Sequence, residues 1–344
     1  MAKLSFQLNA DDFLPASASE KESLVVMRES VGFWKDGFRR LKRNKIAMVS
    51  LVVVILVLFI SFVIPQFYPY TYEQQIRGSE NLAPMQYSQT ELTTMETGGK
   101  VFPHILGTDN LGRDYAIRVM MGSRVSLVVG IIASVLILFI GSLYGSIAGY
   151  FGGWVDLVMM RIVDMIYTVP DILIIILLSV AMDQPLKALA VKPGFQWIQV
   201  VGVNLISIFV VFALLYWVGM ARIVRSQILI LKEQEYVTAA KALGASSGRI
   251  IKKHLLKNCI GTLIVTTTLQ IPSAIFTESF LSFLGLGVNA PMPSLGSLAS
   301  AALNGMNSYP YRLFAPALAI SLIILSFNLL GDGLRDAFDP KLKD

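Results

Sequence analysis

The stretch Glu235-Tyr236-Val237-Thr238-Ala239-Ala240-Lys241-Ala242-Leu243-Gly244-Ala245-Ser246 lies between two apolar segments and predicts two short helices joined at a glycine. Gly244 can adopt the left-handed backbone conformation that ends a helix. Ser246 or Ser247 can then cap the next helix. The adjacent residues Ala239 and Ala240 leave a low helical surface that another protein can approach closely. We expect residues 235–256, called the elbow below, to be gripped by a partner in the cytosol.

Composition identifies a polytopic membrane protein. The 344 residues are 54% hydrophobic and only 15% charged, with a mean hydropathy of +0.63, which is more apolar surface than a soluble domain can bury. The single cysteine, Cys259, excludes an internal disulfide. His104 and His254 are far apart and have no companion cysteines, so we expect no metal site.

Hydropathy along the chain predicts six membrane spans, at about 46–64, 125–148, 157–181, 198–220, 260–284 and 313–330. Basic residues precede the first span and crowd the loop 221–258, which places that loop and both termini in the cytosol. Residues 1–45 are then a cytosolic extension with a basic amphipathic segment that meets membrane lipid. We expect residues 65–124 to form an extracytoplasmic loop and residues 125–340 to form the core of the membrane domain. The net charge of +6 fits these basic flanks. The sequence has no patch of interleaved aromatic and basic residues of the kind that indicates nucleic-acid binding.

The second span contains small residues at a helix-packing period. Gly141, Gly145 and Gly149 form two overlapping GxxxG pairs, which allow two helices to approach closely in lipid. The spacing predicts close packing against another span, without specifying which one.

Ionisable residues within the spans require a partner or an aqueous surface. Glu278 is either a pathway carboxylate that meets substrate or a hydrogen-bonded strut between helices, and we favour the strut. Arg161 and Asp164 are three residues apart and can pair on one helical face. Pro170 permits a kink before Asp171. A proton relay is the alternative role for these charges, but no chain of titratable groups continues across the membrane.

The segment EYVTAAKALGASSGRIIKKHLLKN, residues 235–258, resembles the coupling loop of permease subunits of ATP-binding-cassette importers. More narrowly, it is similar to the C-type subunit of the dipeptide and oligopeptide importers. Ala239, Ala240, Gly244 and Leu256 match the family pattern, whereas Thr238 stands in place of glutamate and a lysine follows Leu256 in place of proline. HILGTDNLGRD at 104–114 and NLLGDGLRDAFDP at 328–340 resemble the same family, and the resemblance covers about residues 41–340.

The resemblance implies an all-α membrane protein with six transmembrane helices in the type I ABC importer permease fold. It implies a non-catalytic subunit that pairs with a homologous second permease in a bacterial or archaeal cell membrane. Two cytosolic ABC ATPase subunits would bind beneath it, and an extracytoplasmic peptide-binding protein would deliver the peptide substrate. The coupling residues that it implies are Glu235, Tyr236, Ala239, Ala240, Gly244 and Leu256.

The sequence contains no phosphate-binding loop. Gly98-Gly99-Lys100 lacks the first glycine of that motif and the hydroxyl residue after the lysine. We therefore expect no cofactor in this chain, with ATP and Mg²⁺ held by the partner ATPases. The alternatives are a same-family importer of another solute such as a nickel complex, a secondary transporter driven by an ion gradient, and a membrane enzyme or assembly scaffold.

Overall fold

The computed structural model describes residues 32–168, 170–288 and 291–338, and of residues 171, 199 and 200 it describes the backbone only. Most of the N-terminal extension expected over residues 1–45 lies outside this part of the chain. Helices make up the fold: α1 Phe33–Arg43, α2 Lys45–Phe62, α3 Ile64–Phe67, α4 Gln89–Glu96, α5 Tyr115–Phe151, α6 Gly153–Thr168, α7 Asp171–Ala190, α8 Trp197–Val201, α9 Val203–Val211, α10 Trp217–Leu231, α11 Glu235–Ala242, α12 Ser247–Ile250, α13 Leu256–Asn258, α14 Ile260–Phe283, α15 Leu295–Ala302 and α16 Tyr311–Phe338. Two π-helical turns, Phe212–Tyr216 and Ile251–Leu255, join α9 to α10 and α12 to α13.

Within the described residues, 6 helices are long and apolar enough to cross a membrane: Lys45–Phe67, Tyr115–Phe151, Ile172–Ala190, Val203–Leu231, Ile260–Phe283 and Tyr311–Phe338. The all-α fold class and the six-span prediction are confirmed. The fourth span runs to Leu231 rather than ending near residue 220, because the arginines after residue 220 are paired with acidic groups on a neighbouring helix.

The third span differs from its predicted limits of 157–181. The chain forms two helices there, since α6 ends at Thr168 and α7 begins at Asp171. Pro170 lacks a backbone N–H and is suited to a position just outside a helix start, and it occupies the cap position of α7. The proline therefore separates the two helices, and the apolar helix that follows it extends to Ala190.

The glycines of α5 pack against α10. An added Cβ would collide with the Met220 side chain at Gly141, with the Ala221 carbonyl at Gly145 and with the Arg225 carbonyl at Gly149. The three glycines lie four residues apart on one face, so they bring the two backbones together along several turns. The close packing expected from the GxxxG pattern is present, and its partner is α10.

The elbow lies at one end of the bundle, called the elbow side below. Both described ends of the chain lie at this side, because the rings of Phe33 and Phe338 are 5.3 Å apart and both residues lie beside Gly261 at the start of α14. Residues 68–114 lie at the opposite end, the loop side. There Tyr311 Oη donates to the Leu82 carbonyl at 2.6 Å, which ties this segment to the start of α16.

Candidate coupling site

The elbow consists of two short helices that meet at Gly244, as the sequence predicts. Gly244 has φ +78°, its N–H donates to the Lys241 carbonyl at 2.9 Å, and the Ala245 N–H donates to the Ala240 carbonyl at 3.0 Å. This pair of bonds is the Schellman ending of a helix, which favours glycine at the left-handed position. Ser246 occupies the cap position of α12, but its side chain makes no capping hydrogen bond.

One face of the elbow is packed into the membrane domain. Val237 is fully buried and Ala240 is 9% exposed, and both belong to the main core cluster. Leu256 is partly buried and packs against the same cluster. The side chains of Ala240 and Leu256 therefore hold the elbow to its own chain, and the expectation that Ala240 contacts the partner closely stays a prediction. The neighbouring Ala239 is exposed.

Polar and aromatic contacts add to this anchoring. The Asn258 side-chain amide donates to Tyr236 Oη at 3.0 Å, which joins α11 to α13. Lys241 Nζ lies 5.5 Å from the centre of the Tyr150 ring at the end of α5, within cation–π distance. Glu235 is exposed in the first turn of α11, where its charge complements the helix dipole. These contacts attach the elbow to the end of α5 and to α13, which leads into α14.

The exposed face of α11 continues at its C-cap into Leu243, a residue that sequence reasoning missed. Leu243 is 89% exposed, and Ala239 and Ala242 are exposed beside it. Residues at i, i+3 and i+4 share one face of a helix, so these three form an apolar surface, called the tip surface below. The signal was available in the sequence, because a leucine directly before the helix-ending glycine has little of its own chain to pack against.

Two ion pairs hold α6 to α10 near the elbow. Arg225 binds Asp156 through two nitrogens, each 2.5 Å from a carboxylate oxygen, and Arg222 Nη2 lies 2.8 Å from Asp164 Oδ1. The predicted pairing of Arg161 with Asp164 is wrong: among the described residues Asp164 bonds to Arg222, and the Arg161 side chain is exposed. The spacing of Arg161 and Asp164 permits a pair along one helix. Arg222 of α10 binds Asp164 instead, and its guanidinium also lies 4.5 Å from the centre of the Tyr167 ring. Asp171 begins α7, and its side chain lies outside the described residues.

Glu278 is enclosed by serine hydroxyls. The side chain is completely buried, and its carboxylate accepts hydrogen bonds from Ser126 Oγ at 2.6 Å and Ser282 Oγ at 2.7 Å. Ser126 belongs to α5 and the other residues to α14. A carboxylate with this many donors and no exposure matches the strut rather than a surface that meets substrate.

A second buried ionisable cluster lies at the loop side, outside the spans. His104 Nδ1 is 2.7 Å from Asp114 Oδ2, and Nε2 is 2.9 Å from Glu91 Oε1. Burial alone would lower the pKa of His104, but hydrogen bonds to both carboxylates and their charges outweigh burial and raise it. The sequence separates these residues by 10 and 13 positions, so spacing could not reveal the cluster.

Comparison with known proteins assigns the chain to a family. Residues 141–344 match the family described as binding-protein-dependent transport system inner membrane component. Residues 32–84 match the N-terminal TM domain of oligopeptide transport permease C.

Full-length relatives agree with both matches. The chain is 40% identical to the oligopeptide transport system permease protein OppC of Bacillus subtilis over 96% of this chain and 97% of the relative. It is 41% identical to the dipeptide transport system permease protein DppC of the same organism, over 96% and 93%. It is 34% identical to the glutathione transport system permease protein GsiD of Pectobacterium atrosepticum, over 90% and 92%. This chain therefore belongs to the binding-protein-dependent inner membrane permeases of ABC transporters, with the type I importer permease fold.

Proposed function

We propose that this chain is the permease subunit of an ATP-driven peptide importer and forms half of its translocation pathway. A homologous permease supplies the other half, a peptide-binding protein delivers substrate at the loop side, and two ATPases that hold ATP and Mg²⁺ bind at the elbow side. The named relatives transport oligopeptides, dipeptides and glutathione, all of which contain amide-linked amino acids. The elbow side is the cytosolic side, in agreement with its excess of lysine and arginine.

The observation that carries the coupling role is the two-faced elbow. Val237 and Ala240 are buried in the same cluster as α5, α10 and α14 residues, whereas the tip surface of Ala239, Ala242 and Leu243 is exposed. A rigid element with one face fixed to the spans and an apolar face free can transmit the movement of a bound partner to those spans. ATP must bind one arrangement of the ATPases more tightly for this movement to shift the permease between states.

The test is a charge at the tip surface. We expect Leu243→Asp to weaken ATPase binding on the order of tenfold or more, because a leucine that becomes buried at an interface loses its apolar contribution and a carboxylate must be desolvated. Peptide uptake into ATP-loaded vesicles should fall with it. Binding is measured by retention of the ATPases on the purified permease pair. Leu243 touches little of its own chain, so the variant should insert and fold normally.

Leu92→Asp is the matched control. Leu92 is an exposed leucine on α4 at the loop side, and its replacement should leave ATPase retention unchanged. Full retention and uptake by Leu243→Asp would overturn the coupling assignment. Vesicles that contain the complete complex and ATP, but no ion gradient, test the energy source, because uptake there is incompatible with a secondary transporter.

A further inference from the structure

A half-open cavity lies among the helices away from the elbow, and its lining residues Tyr167, Thr168 and Ser273 are exposed. It has a volume of about 580 Å³ and is lined by the end of α6, the start of α7, the π-helical turn before α10 and the middle of α14. Its polar side chains are Tyr167, Thr168, Tyr216, Gln270 and Ser273. The volume lies within the range of roughly 300–1,000 Å³ that holds small organic ligands.

Three of the segments around the cavity depart from regular α-helical geometry. Helix α6 ends at Thr168 and α7 begins at Asp171. A π-helical turn occupies Phe212–Tyr216. Pro272 lies inside α14, where it supplies no backbone N–H for the helical hydrogen bonds. Irregular backbone at membrane depth is tolerated where it is enclosed by protein or lines an aqueous cavity. π-Helical turns within helices are frequent at functional sites. Three departures around one space indicate an aqueous chamber rather than a packing defect.

Gly219 supplies the clearest sign that the space is maintained. It lies inside α10 and lines the cavity, yet an added Cβ would meet nothing within 4 Å. Glycine within a helix is less stable than alanine, and no neighbour requires its lack of a side chain. This contrasts with Gly141, Gly145 and Gly149, each of which faces a close backbone or side chain of α10. The lack of a side chain at Gly219 widens the cavity.

The chemistry of the lining matches a peptide main chain. Each described polar lining residue is neutral and can both donate and accept hydrogen bonds, as does every peptide unit of a substrate. The Tyr216 hydroxyl is held in place. Thr277 Oγ1 donates to the Ser273 carbonyl at 3.0 Å, so the 3.1 Å contact between Thr277 and Tyr216 is a bond that Tyr216 donates. The Arg222–Asp164 pair lies beside Tyr167, with its charges neutralising each other.

We infer that this cavity is the chamber through which this subunit passes peptides, with Gly219 limiting the size of substrate and Tyr216, Gln270 and Ser273 contacting the peptide main chain. The inference rests on the proposed function and deepens it. Neutral groups offer weak, replaceable contacts, which favours passage because a group that binds a substrate tightly also retains it. Side-chain charge on the peptide is not read at this surface.

The test uses the complete transporter, with both permeases, the ATPases and the binding protein, in vesicles that contain ATP and Mg²⁺. Labelled alanine peptides of increasing length are supplied outside. Gly219→Leu should reduce uptake of the longest transported peptide by about tenfold and leave dialanine much less affected. ATP hydrolysis stimulated by the loaded binding protein should persist, since the elbow is untouched. Leu214→Phe, which adds bulk at an exposed position near the cavity, should not change the length dependence.

A second measurement does not depend on uptake. The thiol of Ser273→Cys should react with a water-soluble methanethiosulfonate reagent, and trialanine should slow that reaction during turnover. A Ser273→Cys thiol that is unreactive with and without ATP would overturn the chamber, as would unchanged length dependence in Gly219→Leu. Absence of all peptide uptake by the wild-type complex would instead overturn the proposed function, and the inference with it.

Discussion

Single residues at the loop side join distant parts of the chain through charge. Both ring nitrogens of His104 face carboxylate oxygens, so the charged imidazolium satisfies both partners. Asp114 also caps α5, since its Oδ1 accepts from the Ile117 N–H at 3.0 Å. Glu91 in turn accepts from the Ser88 N–H at 2.8 Å. His104 therefore connects the small helix α4 to the start of a membrane span.

The stability of this cluster should fall as the pH rises. The pKa of His104 is raised in the folded state. Its contribution to the free energy of unfolding is therefore complete below the unfolded pKa of about 6.5 and is lost as pH rises through the higher folded pKa. Burial opposes the shift of Glu91, but hydrogen bonds from Ser88 and His104 lower its pKa, so its contribution is lost only toward acid. Hydrogen-exchange protection of residues 88–114, measured from about pH 6 to about pH 9, should decrease across that range.

His104→Gln is the control that shows whether His104 causes the pH dependence of hydrogen-exchange protection. It removes the titrating ring, leaves buried carboxylates without their cation, and should lower the local opening free energy by about 3 kcal/mol at neutral pH. Protection in the variant should be flat over the same interval. A wild-type protection profile that is flat above neutral pH would contradict the charged state of His104.

At the scale of elements, α5 is organised by what its glycines face. Gly145 lies against the Ala221 carbonyl, the Arg225 N–H and the Val224 side chain of α10, whereas Gly130 faces Ile275 of α14. α10 is also bound to α6 through Asp156 and Arg225. Close backbone approach and a cross-helix ion pair thus fix α10, the helix that leads directly into the elbow.

Bulk at Gly145 should separate these two helices. We expect Gly145→Leu to destabilise the purified chain by at least about 1–3 kcal/mol, since the new side chain would occupy space held by α10 backbone. The midpoint of thermal unfolding in detergent should fall by several degrees. Gly219→Leu is the matched comparison, because the same substitution on α10 meets open space and should leave the midpoint nearly unchanged. Equal midpoints for both variants would refute the packing argument.

At the scale of the whole molecule, the six crossings place α1, the elbow and the end of α16 at one side and residues 68–114 at the other. The first group is basic and includes Arg40, Lys42 and Arg43 in the last turn of α1. The positive-inside rule predicts an inner location for this side. The proposed coupling to cytosolic ATPases and the proposed delivery from an external binding protein both depend on this orientation.

Cysteine labelling of intact cells measures the orientation directly. We expect Met95→Cys on α4 to react with a membrane-impermeant maleimide, and Lys42→Cys on α1 to react only after the cells are permeabilised. Both positions are exposed. Cys259 is the only native cysteine, and burial raises the pKa of its thiol to about 11, so background reaction should be low. Labelling of Lys42→Cys in intact cells would reverse the proposed topology.

Properties that depend on neighbours in the chain were determined by the sequence itself. Apolar runs set the number of spans, and the Ala-Leu-Gly-Ala-Ser order set the bend at Gly244 and identified the family before any contact was known. The break at Pro170 was also visible as a proline, although the extent of the following span was not.

Only the tertiary structure decided which way each side chain faces and which helix it meets. It turned Ala240 inward and left Leu243 exposed, paired Asp164 with Arg222 instead of Arg161, and surrounded Glu278 with serines. It also opened a cavity at Gly219, a residue that looks like any other glycine in a membrane helix. The physical reason is that backbone conformation and burial in lipid follow from local composition. The direction in which a side chain points, and the helix that it contacts, are instead set by packing between residues tens to hundreds of positions apart.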